Sequence, residues 1–74
     1  MARELLGKVV NLSERGAALV KATRMVPIGT KLVDVRHQPA GRVMDVLGPV
    51  SAPYLLVSPP KGKAARLNHE VYLP

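Results

Sequence analysis

Two aspartates, Asp34 and Asp45, are the side chains in this sequence with the best claim to acid–base chemistry. A carboxylate pair can serve as general acid and general base when its surroundings drive the two pKa values apart. The neighbours of these two argue otherwise. Asp34 stands beside a turn where it can accept backbone N–H bonds, and Arg36 and Arg42 are near enough in sequence to pair with one or other carboxylate. His37 and His69 sit in polar surroundings with no third ligand at metal spacing, so both are expected at the surface and no metal site is expected. Ser13, Ser51 and Ser58 fall in turns, where serine is common. No phosphate-cradling loop or dinucleotide fingerprint is present, and the glycines stand singly at turns. The sequence therefore gives no catalytic residue, no cofactor and no small-molecule substrate, and the chain is expected not to be an enzyme by itself.

The charged residues offer a second chemistry. Lys61, Lys63 and Arg66 form a basic run with no acid between Asp45 and Glu70 to balance it. Such a run can contact RNA phosphates, which makes binding salt-dependent, or it can be a solvated loop. The whole chain carries +6, from eleven Lys and Arg against five Asp and Glu. That balance favours a polyanionic environment, with nucleic acid first and acidic protein surfaces second. Tyr54 and Tyr72 are the only aromatic residues, with no Phe or Trp. Base stacking on exposed rings contributes roughly 1–3 kcal/mol per base, so a chain with so few rings is poorly equipped to read single-stranded RNA. Membership of a ribonucleoprotein fits this composition better than sequence-specific recognition.

A third group is apolar. Pro27, Ile28, Val46, Leu47, Pro49, Val50, Pro53 and Tyr54 gather at turns and strand ends. In a small fold they cannot all reach the interior. Either some form an exposed patch that another protein covers, or they plug the mouth of a barrel. Tyr54 is the best anchor for a partner, because rigid aromatic side chains dominate interface energetics.

The elements that must hold these residues are strands. Residues 41–57, GRVMDVLGPVSAPYLLV, contain two runs rich in β-formers, broken by Gly48-Pro49 and Pro53, and read as a bent strand pair. Before them, residues 5–12 and 17–22 make a hairpin around a turn in which Gly16 supplies a positive φ. Arg3 and Glu4 are a polar lead. The small residues Ala17, Ala18 and Ala22 suit a tightly curved wall. Residues 23–30 form a loop with turn chemistry at Pro27-Ile28-Gly29, residues 31–35 a short strand, and residues 36–41 the turn that follows. Residues 71–73 can close the structure. Seven prolines and six glycines leave few helical windows. The sole candidate, residues 61–69, contains Gly62 and can hold a single turn at best.

Short strands with Gly and Pro punctuation argue an all-β fold, and closure removes aggregation-prone edges. The expectation is one small domain over residues 1–74. Its core region is 5–57, followed by a basic loop at 58–70 and a closing strand at 71–73. A chain of 74 residues buries only roughly 60% of the surface its unfolded form exposes, so docking on a partner would add useful stability. No cysteine is present, and no apolar run approaches the ~18 residues of a membrane helix. Without a signal-peptide pattern the chain reads as soluble and cytoplasmic, with no membrane contact.

The segments LGKVVNL, AALVKA, PIGTKLVDV and PAGRVMDVLGPVSAPYLLV together resemble the GAR subunit of archaeal box H/ACA small ribonucleoproteins, which direct pseudouridylation with guide RNAs. The resemblance covers about residues 5–57. Its most specific part is G-x-V-x-D-V-x-G-P-V-x-x-P-Y, intact from Gly41 to Tyr54. Pro27-Ile28-Gly29-Thr30 and Asp34 stand where the family's shorter motif falls. No glycine/arginine-rich tail accompanies them, so the likeness is to the minimal archaeal form.

The resemblance implies a closed, six-stranded antiparallel barrel of the translation-factor-like (reductase/isomerase/elongation factor) type. It implies a non-catalytic subunit that docks on the catalytic domain of the pseudouridine synthase. There it would assist loading and release of substrate RNA in ribosomal RNA processing and ribosome biogenesis, partly through a mobile loop of the synthase. The other H/ACA proteins and the guide RNA would belong to the same complex, with RNA contact mostly indirect. By motif match Gly48, Pro49, Val50, Pro53 and Tyr54 would lie in the docking region. Two other readings remain open: an independent small-barrel RNA-binding protein using residues 61–66, and a ribosome-maturation barrel of the same superfamily.

Overall fold

The computed structural model describes residues 4–13, 16–62 and 65–74. Six strands run through them: β1 (Glu4–Leu12), β2 (Ala18–Ala22), β3 (Lys31–Val33), β4 (Pro39–Leu47), β5 (Tyr54–Ser58) and β6 (Glu70–Leu73). They close into a barrel in the order β1-β2-β5-β4-β3-β6, with every neighbouring pair antiparallel. No helix occurs among the described residues. Within the segment 61–69, turns form at 61–62 and 67–68, while Lys63 and Ala64 lie outside the described residues.

Period-two alternation decides which side chains enter the core. In β5, Leu55 and Val57 are buried while Leu56 and Ser58 are only partly so. In β2, Ala18, Val20 and Ala22 are buried and Lys21 is exposed. The register matches these faces, with Val20 opposite Leu55 and Ala18 opposite Val57. Leu6, Val9, Leu32, Val43 and Val71 complete the interior from the other strands, and Val26 adds to it from the loop before β3. Fully burying an aliphatic side chain of this size contributes about 1.5–3 kcal/mol.

Closure at this size demands strong curvature, which bulges provide. The register shifts between Leu5 and Gly7, between Val9 and Asn11, and between Val43 and Asp45. These bulges reset the alternation, so Leu6 and Val9 both face inward on β1. Between them Gly7 faces β2 so closely that a Cβ would lie 2.9 Å from Val20 Cγ1.

The largest departures from the expected boundaries are in β3 and β4, the others shifting by a single residue. β3 stops at Val33 instead of Val35, because Asp34 Oδ1 captures the amides of Arg36 and Gln38 at 2.8 and 2.9 Å and folds the chain into a turn. β4 starts at Pro39, inside the segment expected to be turn, because Gly41 at φ 141° lets the strand bend without ending. That bend carries β4 from its pairing with β3, at 39–42, to its pairing with β5, at 42–47. Glu4, expected to be a polar lead, belongs to β1 opposite Leu73 of β6. β6 closes the barrel as expected. Its pairing with β1 is continued by residues 68–69, which bond Val9 at 2.8 and 2.9 Å, whereas its seam with β3 rests on one register pair, Val33 with Tyr72.

The connectivity gives the barrel two unlike ends. One carries the start of β1, the 23–30 connection, the 48–53 loop and the end of β6. The other carries the connections from β1 to β2, from β3 to β4 and from β5 to β6.

Candidate functional site

The first of these ends is built from two locked turns. In the 48–53 loop, Gly48 takes φ 82° and the Ala52 amide bonds the Pro49 carbonyl at 3.1 Å. Val50 is thereby lifted to the tip and is 73% exposed. Pro49 and Gly48 are exposed beside it, and Leu47 is 45% exposed at the end of β4. Tyr54 is half-buried opposite Leu47 in the β4–β5 register. Its ring lies over Gly48, where an added Cβ would sit 3.6 Å from Tyr54 Cδ2.

The second turn is Pro27-Ile28-Gly29-Thr30. The Thr30 amide and hydroxyl both donate to the Pro27 carbonyl, at 3.2 and 2.7 Å, and Gly29 takes φ 94°. Two further bonds fasten the turn to β4: Gly29 N–H to the Val43 carbonyl at 2.8 Å and Val43 N–H to the Thr30 carbonyl at 3.0 Å. Ile28 and Pro27 project from it, Ile28 being 65% exposed, while Val26 just before them is buried. Both apolar tips therefore stand on backbone bonded into the barrel.

Pro53 corrects the sequence expectation of an exposed rim residue. It is fully buried, and its carbonyl accepts the Ala22 amide at 3.0 Å. The alternation that puts Leu55 and Val57 inside extends back to Pro53, so its ring plugs the barrel mouth. Val46 lies in the same phase, opposite Leu55, and packs half-buried against the core. The apolar group thus divides. Pro27, Ile28, Leu47, Pro49 and Val50 face water, Val46 and Tyr54 are shared, and Pro53 is a plug.

The register also places two lysines that sequence reasoning did not single out. Lys21 is opposite Tyr54 on β5 and opposite Lys8 on β1, and both lysines are exposed. The outer row Lys8, Lys21, Tyr54, Leu47 consequently runs from basic to apolar. Only the register could have revealed it. Met25 and Met44, each 43% exposed, were missed as well. Apolar exposure is not confined to this end, since Val35 at 59% and Leu67 at 52% lie in connections at the other. The rim differs in carrying several such residues at one end of the barrel on two hydrogen-bonded turns.

The basic run lies between β5 and β6. Lys61 and Arg66 are exposed, and Lys63 lies outside the described residues. At the second end of the barrel, Arg66 lines a cleft with Asp34, Arg36, His69 and Glu70, so an acid remote in sequence, Asp34, stands along the same cleft as the nearby Glu70. Asp34 serves its turn, and Asp45 Oδ1 accepts the Val46 amide at 2.8 Å, which supports the reading of both as structural carboxylates. Among the described residues no group of three or more His, Cys, Asp or Glu could hold a metal ion. At the rim end, Arg24 grips Glu4 with two bonds, Nε to Oε2 at 2.7 Å and Nη2 to Oε1 at 2.9 Å. Those hydrogen bonds hold the Glu4 carboxyl below its usual range.

The fold has a counterpart among solved structures. The chain is similar to the structure of the Gar1 domain of NAf1, with a TM-score of 0.76 and 19% identity over 97% of this chain and 83% of that one. At that identity the likeness is one of fold: both chains form the same small barrel. No protein-family model matches the chain, and no curated protein matches it.

Proposed function

We propose that this chain is a non-catalytic docking subunit of an H/ACA-type ribonucleoprotein, a single barrel domain working in the cytoplasm. It covers part of the catalytic domain of a pseudouridine synthase with its Ile28–Val50 rim, and by doing so it assists loading and release of substrate RNA. The observation that carries the reading is the exposure of Ile28 and Val50 on hydrogen-bonded turns, outside a core that is already complete without them. Side chains left in water on rigid backbone have the least to lose on association, because their ordering cost is already met in the free protein. The Gar1-type barrel and the intact Gly41–Tyr54 motif support the choice of partner.

Magnitudes limit what the rim can do. Burying Ile28, Leu47 and Val50 contributes about 1.5–3 kcal/mol each, against an association cost of about 4–15 kcal/mol. The three are therefore the centre of an interface. The outer row of Tyr54, Lys21 and Lys8 extends it and suits an acidic border on the partner.

The test is co-purification with an archaeal H/ACA pseudouridine synthase, comparing the wild type with Tyr54→Ala and Val50→Asp. Retention of the wild type and loss of Val50→Asp is the expected outcome. Equal retention of both variants would move the docking surface elsewhere, and no retention of the wild type would remove the reading.

A further inference from the structure

Cross-strand pairs of like charge are unfavourable, and this barrel carries two on its outer face. Lys8 stands opposite Lys21, and Lys31 stands opposite Arg42. The first has an acid in register, since Lys8 stands opposite Glu70 on its other side. The second has none. Arg42 has Ser58 on its other side, and β3 pairs with β6 only at Val33. Among the described residues, neither Lys31 nor Arg42 has a carboxylate within ion-pair distance.

These two cations border a surface groove of about 700 Å³ on the outside of β3, β4 and the chain after β5. Its walls are mostly apolar, with Pro39, Pro59, Pro60, Pro74 and Met44 among them, and no lining side chain is acidic. Prolines fix φ and offer no N–H, so this wall is already ordered and asks an aliphatic side chain for little beyond desolvation.

We propose that this groove binds an extended acidic segment of a partner protein, with a carboxylate between Lys31 and Arg42 and aliphatic side chains against Pro59, Pro60 and Met44. RNA fits it less well. A phosphate would gain the two cations, but no tyrosine or histidine lines the groove and the chain has no Phe or Trp, leaving bases nothing aromatic to stack on. Neither Ile28 nor Val50 lines the groove, so this inference does not rest on the docking reading above.

The experiment is a titration of the isotope-labelled full chain, followed by amide chemical shifts, with three probes. They are a capped nonapeptide repeating glutamate, leucine and proline, its glutamine analogue, and a decauridylate. The glutamate peptide is expected to shift the amides of Lys31, Arg42, Met44 and Ser58. The glutamine analogue, and the K31S/R42S variant with the glutamate peptide, should each bind at least about tenfold more weakly, the loss of a charge-assisted contact. Val50→Asp should leave the titration unchanged. Equal binding of the glutamine analogue, shifts confined to other faces, or tighter binding of the decauridylate at these same amides would each overturn the proposal.

Discussion

The Ala22 amide donates a hydrogen bond to the Pro53 carbonyl at 3.0 Å, tying the loop that raises Val50 to the end of β2. The bond uses backbone on both sides, so the position of the tip does not depend on any side chain in solvent. Pro53 adds a buried ring directly beneath it.

Pro53→Ala keeps that carbonyl but removes the plug and loosens the unfolded chain. It should lower stability by about 1–3 kcal/mol, read as a fall in the urea midpoint. Val50→Asp, at an exposed tip, should stay within about 0.5 kcal/mol of wild type. A neutral Pro53→Ala would mean that the ring is not packed in the mouth.

Gly41 should be far less replaceable than Gly62. Both take positive φ, 141° and 81°, yet a Cβ at Gly41 would meet Ser58 O at 2.5 Å and Val57 Cγ1 at 2.6 Å, while at Gly62 it would meet nothing within 4 Å. Gly62→Ala should cost about 1–2 kcal/mol from backbone strain, and Gly41→Ala about 2–5 kcal/mol because crowding is added. Equal losses in urea unfolding would contradict the account of how β4 bends.

Acid should weaken the tie between Glu4 and Arg24. Hydrogen bonds from Arg24 hold the Glu4 carboxyl below its ordinary range, against desolvation and with the Arg24 charge assisting. The folded chain therefore takes up that proton less readily than the unfolded chain. The contribution is fully present above the unfolded value and is lost as pH falls through the lowered folded one. The pair is exposed, so the effect is small and screened by salt. The stability difference between wild type and Glu4→Gln should shrink on acidification and in high salt. A difference that grows on acidification would refute the pairing.

Much of this was legible in the sequence because turns and alternation are local. The positive φ at Gly16, the turn at 27–30 and the hairpin joining β4 to β5 follow from residue types alone. What escaped depended on longer-range facts. Pro39 and Gly41 read as turn residues, and only the crossing of β4 from one partner strand to the next explains why a strand runs through them. Pro53 shares the inward phase of Leu55, but its residue type favours a loop, and only the closed barrel shows that its ring is buried. The opposition of Lys31 and Arg42 needs the β3–β4 register, and the placing of Arg66 along one cleft with Asp34 needs the closed barrel.

RNA affinity should be low in the isolated chain. With Arg66 beside acids in the cleft and Lys61 on an exposed turn, few phosphates can be neutralised at once. Each phosphate contact adds about 0.7 to the logarithmic salt slope for single strands. A guide-type RNA titrated at two salt concentrations should bind weakly with a shallow slope. Tight binding with a steep slope, abolished by Lys61→Ser with Arg66→Ser, would favour an independent RNA-binding barrel.

The most direct test of the docking claim is amide hydrogen exchange of the chain with and without the pseudouridine synthase. The account expects new protection at residues 28–30 and 47–52, with residues 34–38 and 66–69 at the opposite end unchanged. Protection at that opposite end, with the Ile28 and Val50 turns exchanging as in the free chain, would contradict it.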